Sequence, residues 1–129
     1  MVDSKRYNDW FDMALKDFKS AEILYSNDAD LGIVCFHCQQ AIEKYFKGFI
    51  IYSQGVLQEG HSLIKLCRKA SESNGGLNSF IKDCAFVNSF YIETRYPAED
   101  TLIVTKEDAE ECFSITKNII NYINELIKA

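Results

Sequence analysis

Cys35-Phe36-His37-Cys38-Gln39-Gln40-Ala41-Ile42-Glu43-Lys44-Tyr45-Phe46-Lys47-Gly48 sits inside the most apolar part of the chain, from Leu31 to Tyr52. Over the wider segment from about Asp30 to Ser53, Val34, Cys35, Cys38, Ala41, Ile42, Tyr45, Phe46, Phe49 and Tyr52 recur at steps of one and three. That spacing predicts an α-helix, because side chains three and four apart share a face. These residues wrap more than half of the cylinder. The helix is therefore expected at the centre of a bundle, or between the bundle on one side and a second subunit on the other. His37, Gln39, Gln40, Glu43, Lys44 and Lys47 interrupt the run, and charges at that density exclude a membrane span. Gln54-Gly55 ends the helix.

Upstream, Tyr7, Phe11, Ala14, Phe18, Ala21 and Tyr25 recur at steps of four and three. They predict a first helix from about Ser4 to Tyr25, with Asp3 or Ser4 as its cap. Downstream, a shorter helix from about Ser62 to Ser73 buries Leu63, Leu66 and Ala70. Asn74-Gly75-Gly76 breaks it, since paired glycines weaken a helix and suit a left-handed cap. A fourth helix is expected from about Asn78 to Thr94, with Phe80, Ile81, Cys84, Val87 and Tyr91 on one stripe, and Pro97 forbids its continuation. After a loop from Arg95 to Val104, Thr105-Lys106-Glu107-Asp108 reads as a capping box. The last helix uses Ala109, Cys112, Thr116, Ile119, Ile120, Ile123 and Ile127 as its stripe. Its acidic first turn suits the positive end of a helix dipole. Alternation at period two is nowhere sustained. The expected fold is all-α: an up-and-down antiparallel bundle of four long helices plus one short helix, one domain over residues 1–129.

Composition agrees. With 47% hydrophobic and 26% charged residues in 129, the chain has ordinary globular content and can bury a core without staples. Five cysteines is an odd, scattered count, which points to reduced thiols in a cytoplasm rather than a secreted disulfide framework. No apolar stretch follows the basic start, so no secretory signal is expected. The net charge of -5 argues against bulk DNA or RNA coating. The charge is uneven: Lys44 to Lys69 holds five basic residues and one acidic, whereas Glu93 to Glu111 holds seven acidic and two basic. Either these are two solvated faces, or the first is a local basic pocket for one small anion or nucleotide.

Four features bear on chemistry. Cys35 and Cys38 form a C-x-x-C, but inside an apolar helix, where buried structural thiols are expected rather than a redox pair. His37 points about 100° away from its sequence neighbours, so no zinc site is expected from Cys35, His37 and Cys38. His37, Gln40, Lys44 and Lys47 form one polar stripe, with Gln39 and Glu43 on a neighbouring line. That stripe is either the solvent side, with Gln40–Lys44 and Glu43–Lys47 as ordinary helix pairs, or the wall of a cleft shared with His61 and Arg95. Arg95-Tyr96-Pro97 is either a helix stop or a grip on a phosphate or carboxylate, for which the guanidinium fork is shaped. No Gly-rich phosphate loop or nucleophile constellation is present, and no cofactor is expected.

The stretch from Cys35 to Gly48 resembles the second-helix signature of the HEPN family (higher eukaryotes and prokaryotes nucleotide-binding domains), in which small and aromatic residues precede QQAxEKxxKA. Trp10, Ala14, Asp17 and Ala21 are similar to its first-helix pattern, with Phe18 where leucine is common. His61-Ser62-Leu63 with Leu66 resembles its turn into the third helix, Thr94-Arg95-Tyr96-Pro97 its R-Y-P segment, and Glu107-Asp108-Ala109 its last helix start. The resemblance covers nearly the whole chain in order.

The resemblance implies an antiparallel bundle paired as a homodimer. It also implies one of three roles: ribonuclease toxin of a toxin–antitoxin pair, partner of a small nucleotidyltransferase, or nucleotide or RNA binder without catalysis. The ribonuclease branch places a histidine four to six residues after an arginine. Here Arg95 is followed by Tyr96, Pro97, Ala98, Glu99, Asp100, Thr101, Leu102 and Ile103. Without that proton-transfer group, which contributes about 10²–10⁴-fold, a non-catalytic module is expected. Its ligand set would be His37, Gln40, Lys44, Lys47, His61, Arg95 and Tyr96. A pure protein-interaction scaffold is the further alternative.

Overall fold

The computed structural model describes residues 2–93 and 103–128. Helix α1 (Tyr7–Ser26) and helix α2 (Leu31–Gln54) are joined by residues 27–30 alone, so the chain must double back and lay one helix along the other. The turn has its own chemistry. Asn27 Nδ2 donates to the Ile23 carbonyl at 2.8 Å, and Asp28 takes the left-handed conformation at φ 55°, which short polar residues tolerate. Asp30 then caps α2 by accepting from Ile33 N at 3.1 Å. Gly55, at φ 70°, closes the other end with its N–H on the Ile51 carbonyl.

α1 begins at Tyr7, three residues later than the sequence implies, with no side-chain cap. Ser4 is otherwise engaged. Its Oγ accepts from Arg6 N at 3.0 Å and donates to Asp9 at 2.7 Å. Trp10 Nε1 donates to the Ser4 carbonyl at 2.8 Å, so the arm folds back on the first turn. Ser4 and Arg6 together hold the Asp9 carboxyl below its usual range.

α1 and α2 meet closely at Gly48. A Cβ there would lie 2.7 Å from two ring carbons of Phe11 and 3.2 Å from the Tyr7 carbonyl oxygen. The Phe11 ring cannot simply retreat, because it leans on Tyr45 with centroids 4.5 Å apart. Overpacking costs about 1–3 kcal/mol, against a helix-propensity gain of about 1 kcal/mol for replacing glycine. Gly48→Ala is therefore expected to destabilise by up to about 2 kcal/mol, lowering the urea midpoint at unchanged slope. A raised midpoint would show that the Phe11 ring moves freely.

Helix α3 (Leu63–Ser71) starts at Ser62, whose Oγ accepts from Lys65 N. The fourth expected segment is helical in three consecutive pieces. A 3₁₀ helix (Gly75–Phe80) runs into α4 (Ile81–Asn88), and α5 (Phe90–Glu93) follows. At the break, Ser89 Oγ donates to the Phe86 carbonyl at 2.7 Å, a local side-chain bond that competes with the helix ladder. Thr94 lies outside the described residues.

Helix α6 (Lys106–Lys128) begins with the expected reciprocal cap: Thr105 N donates to Asp108, and Asp108 N donates to Thr105 Oγ1. It packs on α2, where the Tyr45 hydroxyl donates to Asn124. α2 touches every other α-helix and is the centre of the bundle. Ile42, Phe46 and Ile50 of α2 are fully buried with Leu63, Leu66, Leu77, Ile119 and Ile123. The all-α class and the bundle stand as the sequence implies. Among the described residues, no strand occurs and no helix is long and apolar enough to cross a membrane.

Candidate functional site

The polar residues of α2 are drawn inward by two carboxylates. Glu43 is the first. It accepts from Lys47 Nζ at 3.1 Å, from Gln39 and Gln40 Nε2 at 3.4 Å each, and from His61 Nδ1 at 3.1 Å. Gln39 Nε2 also donates to the His61 carbonyl at 3.2 Å, and Gln40 Nε2 to Gln39 Oε1 at 2.7 Å. The side chains of Lys47 and Glu43 are 7% and 4% exposed. Ions removed from water need each other and further hydrogen bonds, and the amides supply these to Glu43. Lys47 also lies 5.5 Å from the centroid of the Trp10 ring. Among the described residues, no buried side-chain nitrogen or oxygen lacks a hydrogen bond.

Asp17 of α1 is the second carboxylate. It accepts from Lys44 Nζ, and its other oxygen lies 3.3 Å from His37 Nδ1. Beside this pair, Ser4, Asp9, Trp10, Met13 and Lys44 line a cavity of about 390 Å³ under the folded-back arm.

His61 is where the network reaches water. Its side chain is 59% exposed although its Nδ1 is engaged by the buried Glu43. One ring face stacks on Tyr91 of α5, with centroids 5.2 Å apart and planes 18° from parallel. Tyr91 in turn lies against Phe36, 6.1 Å away at 30°.

His37, Gln40, Lys44, Lys47 and His61 are thus placed along one polar seam, whereas Arg95 and Tyr96 lie outside the described residues. The Glu43–Lys47 pair exists but is buried rather than solvated. Gln40 and Lys44 turn away from each other, to Glu43 and Asp17 respectively. The two carboxylates that organise the seam are missing from the sequence-based ligand set. Glu43 carries a signal in the sequence: Gln39, Glu43 and Lys47 sit one turn apart, on the line beside the stripe.

All five cysteines are buried and free. Burial pushes the Cys38 thiol up to about 12. The Cys84 and Cys112 thiols are raised by hydrogen bonding to Cys67 and Cys35 respectively, and further by burial. Among the described residues, no group of three His, Cys, Asp or Glu side chains is placed to hold a metal ion.

Comparison with known families extends this picture, since the model of the HEPN domain matches residues 7–126. The chain belongs to the HEPN family. Two crystal structures are similar to this HEPN protein. TT1696 from Thermus thermophilus shares 25% identity at a TM-score of 0.84, covering 95% of this chain and 98% of that one. ST0689, an archaeal HEPN homologue, shares 27% identity at a TM-score of 0.74, covering 96% and 99%. Comparison with curated proteins gave no match. The HEPN match spans the whole polar seam, from Trp10 on α1 to Tyr91 on α5.

Proposed function

We propose that this HEPN protein is a non-catalytic, cytoplasmic binding module that pairs as a homodimer, takes a nucleotide and acts with a small nucleotidyltransferase. The observation that carries this reading is the ion network on the central helix. Apolar residues would serve bundle stability as well or better there. A satisfied polar network that ends at an exposed imidazole instead supplies what a ligand site needs: groups held in place before the ligand arrives. In that site His61, Gln40 and His37 offer hydrogen bonds at the surface. Lys44 and Lys47 act from behind, through Asp17 and Glu43. Arg95 and Tyr96 join the set on the family resemblance. The missing histidine after Arg95 supports a role without catalysis.

Thermal shift with ATP, GTP, their diphosphates and a short RNA tests this. A ligand at a hundredfold excess over its Kd stabilises the folded state by about 2.7 kcal/mol, and Arg95→Ala is expected to abolish the shift. No shift with any ligand would overturn nucleotide binding and favour the scaffold. RNA incubated with pure protein is expected to stay intact. Cleavage lost in Arg95→Ala would establish the ribonuclease instead. Sedimentation and co-expression with a nucleotidyltransferase check the two partner assignments, and failure of the proteins to associate would remove the second.

A further inference from the structure

We infer that His61 Nε2 is the atom that meets an oxyanion of the ligand's phosphate group, with Glu43 as its positioning residue; this rests on the nucleotide-binding reading above. The Nδ1 edge faces Glu43, with both carboxylate oxygens within 3.2 Å. One face is covered by Tyr91. With the side chain still 59% exposed, approach is left to the Nε2 edge and the other face.

A carboxylate on Nδ1 fixes both the ring's orientation and its tautomer, since Nδ1 must carry the proton to donate. Neutral, the ring then presents a lone pair outward at Nε2. Protonated, it presents an N–H donor, with the new positive charge compensated from behind by Glu43. The second form suits an anion, and the neighbourhood agrees. Within the seam the two carboxylates, Asp17 and Glu43, are already matched by Lys44 and Lys47. Each protonated histidine therefore adds net positive charge, in a chain whose overall charge is -5. Four donor groups converge on Glu43, His61 Nδ1 among them, so the ring's Nε2 edge is the one turned away from the cluster. An N–H at that outward edge suits a ligand group made of acceptors, and a phosphate is such a group.

The chain has two histidines, so ¹⁵N-histidine labelling gives one ring to watch and one internal reference, His37. The probes are AMP and inorganic phosphate. The expected result is a shift of the His61 Nε2 resonance larger than that of its Nδ1. Movement with both probes shows that phosphate suffices. Movement with AMP alone shows that the phosphate is read only within a nucleotide, and either result supports the assignment. If neither probe moves Nε2, the assignment falls. It falls alone if thermal shift still detects a nucleotide, and together with the proposed function if thermal shift detects none.

A pair of variants separates ligand contact from mere pairing with Glu43. Glutamine places its amide nitrogen near the Nε2 position, and asparagine near Nδ1. A charged hydrogen bond lost from the site weakens binding on the order of 10- to 100-fold. His61→Asn is expected to show that loss for AMP, and His61→Gln to recover most of it. The reverse order, with asparagine retaining and glutamine losing affinity, would mean that His61 only braces Glu43, and would overturn the inference.

Discussion

Glu43→Ala is expected to lower the free energy of unfolding by about 3–5 kcal/mol, the cost of stranding a buried charge. Alanine would leave the ammonium of Lys47, 7% exposed, without its carboxylate, and would remove the acceptor shared by Gln39, Gln40 and His61. That is a large share of the roughly 5–15 kcal/mol typical of a small domain. Urea unfolding measures it directly. A double substitution, Glu43→Leu with Lys47→Met, removes both charges and is expected to recover most of the loss, as buried ion pairs often yield to apolar pairs of similar volume. A loss below about 1 kcal/mol for Glu43→Ala would show that water reaches Lys47, because only a solvated pair is worth so little.

The thiols give the second large effect. Cys35, Cys38, Cys67, Cys84 and Cys112 are all fully buried, so a water-soluble disulfide reagent meets them only when the structure opens. Native small domains outnumber their unfolded forms by about 10³-fold or more. Labelling in buffer is expected to be slower than in denaturant by a factor of that order, with all five thiols titrating once the chain unfolds. Fast labelling of Cys35 or Cys38 in the native protein would reopen a redox role for the C-x-x-C. The raised Cys38 thiol works in the same direction, since the thiolate is the attacking species.

The long helices were legible because each buries a stripe at helical spacing, and the last also because its cap, Thr105 with Asp108, is made from neighbours in sequence; the division of the fourth segment into three pieces was not legible. The start of α1 was not legible. The fate of Ser4 depends on Asp9 and Trp10, which compete for its hydroxyl and its carbonyl. The polar stripe on α2 was legible, but its orientation and the part of Asp17 in it were not. His37, Gln40, Lys44 and Lys47 read equally well as a solvated stripe, because spacing along α2 says nothing about what stands opposite. Asp17 comes from α1 and His61 from the turn before α3, and only the packing of those elements decides that the stripe faces inward. Glu43 escaped because its pairing with Lys47 has the same spacing in a buried helix as on a surface one.

The contact at Gly48 has a consequence for how such chains change over time. The HEPN second-helix signature has alanine where this chain has glycine, and here the vacated space is filled from across the interface by the Phe11 ring. The volume at this contact is shared between the two helices: little from position 48, much from position 11. Positions 11 and 48 should therefore drift as a pair. A methyl at 48 becomes acceptable once 11 shrinks, and each substitution alone is a step downhill in fitness that the other reverses. Phe11→Leu combined with Gly48→Ala would reproduce that exchange in one protein, with the pair less costly than the sum of its parts.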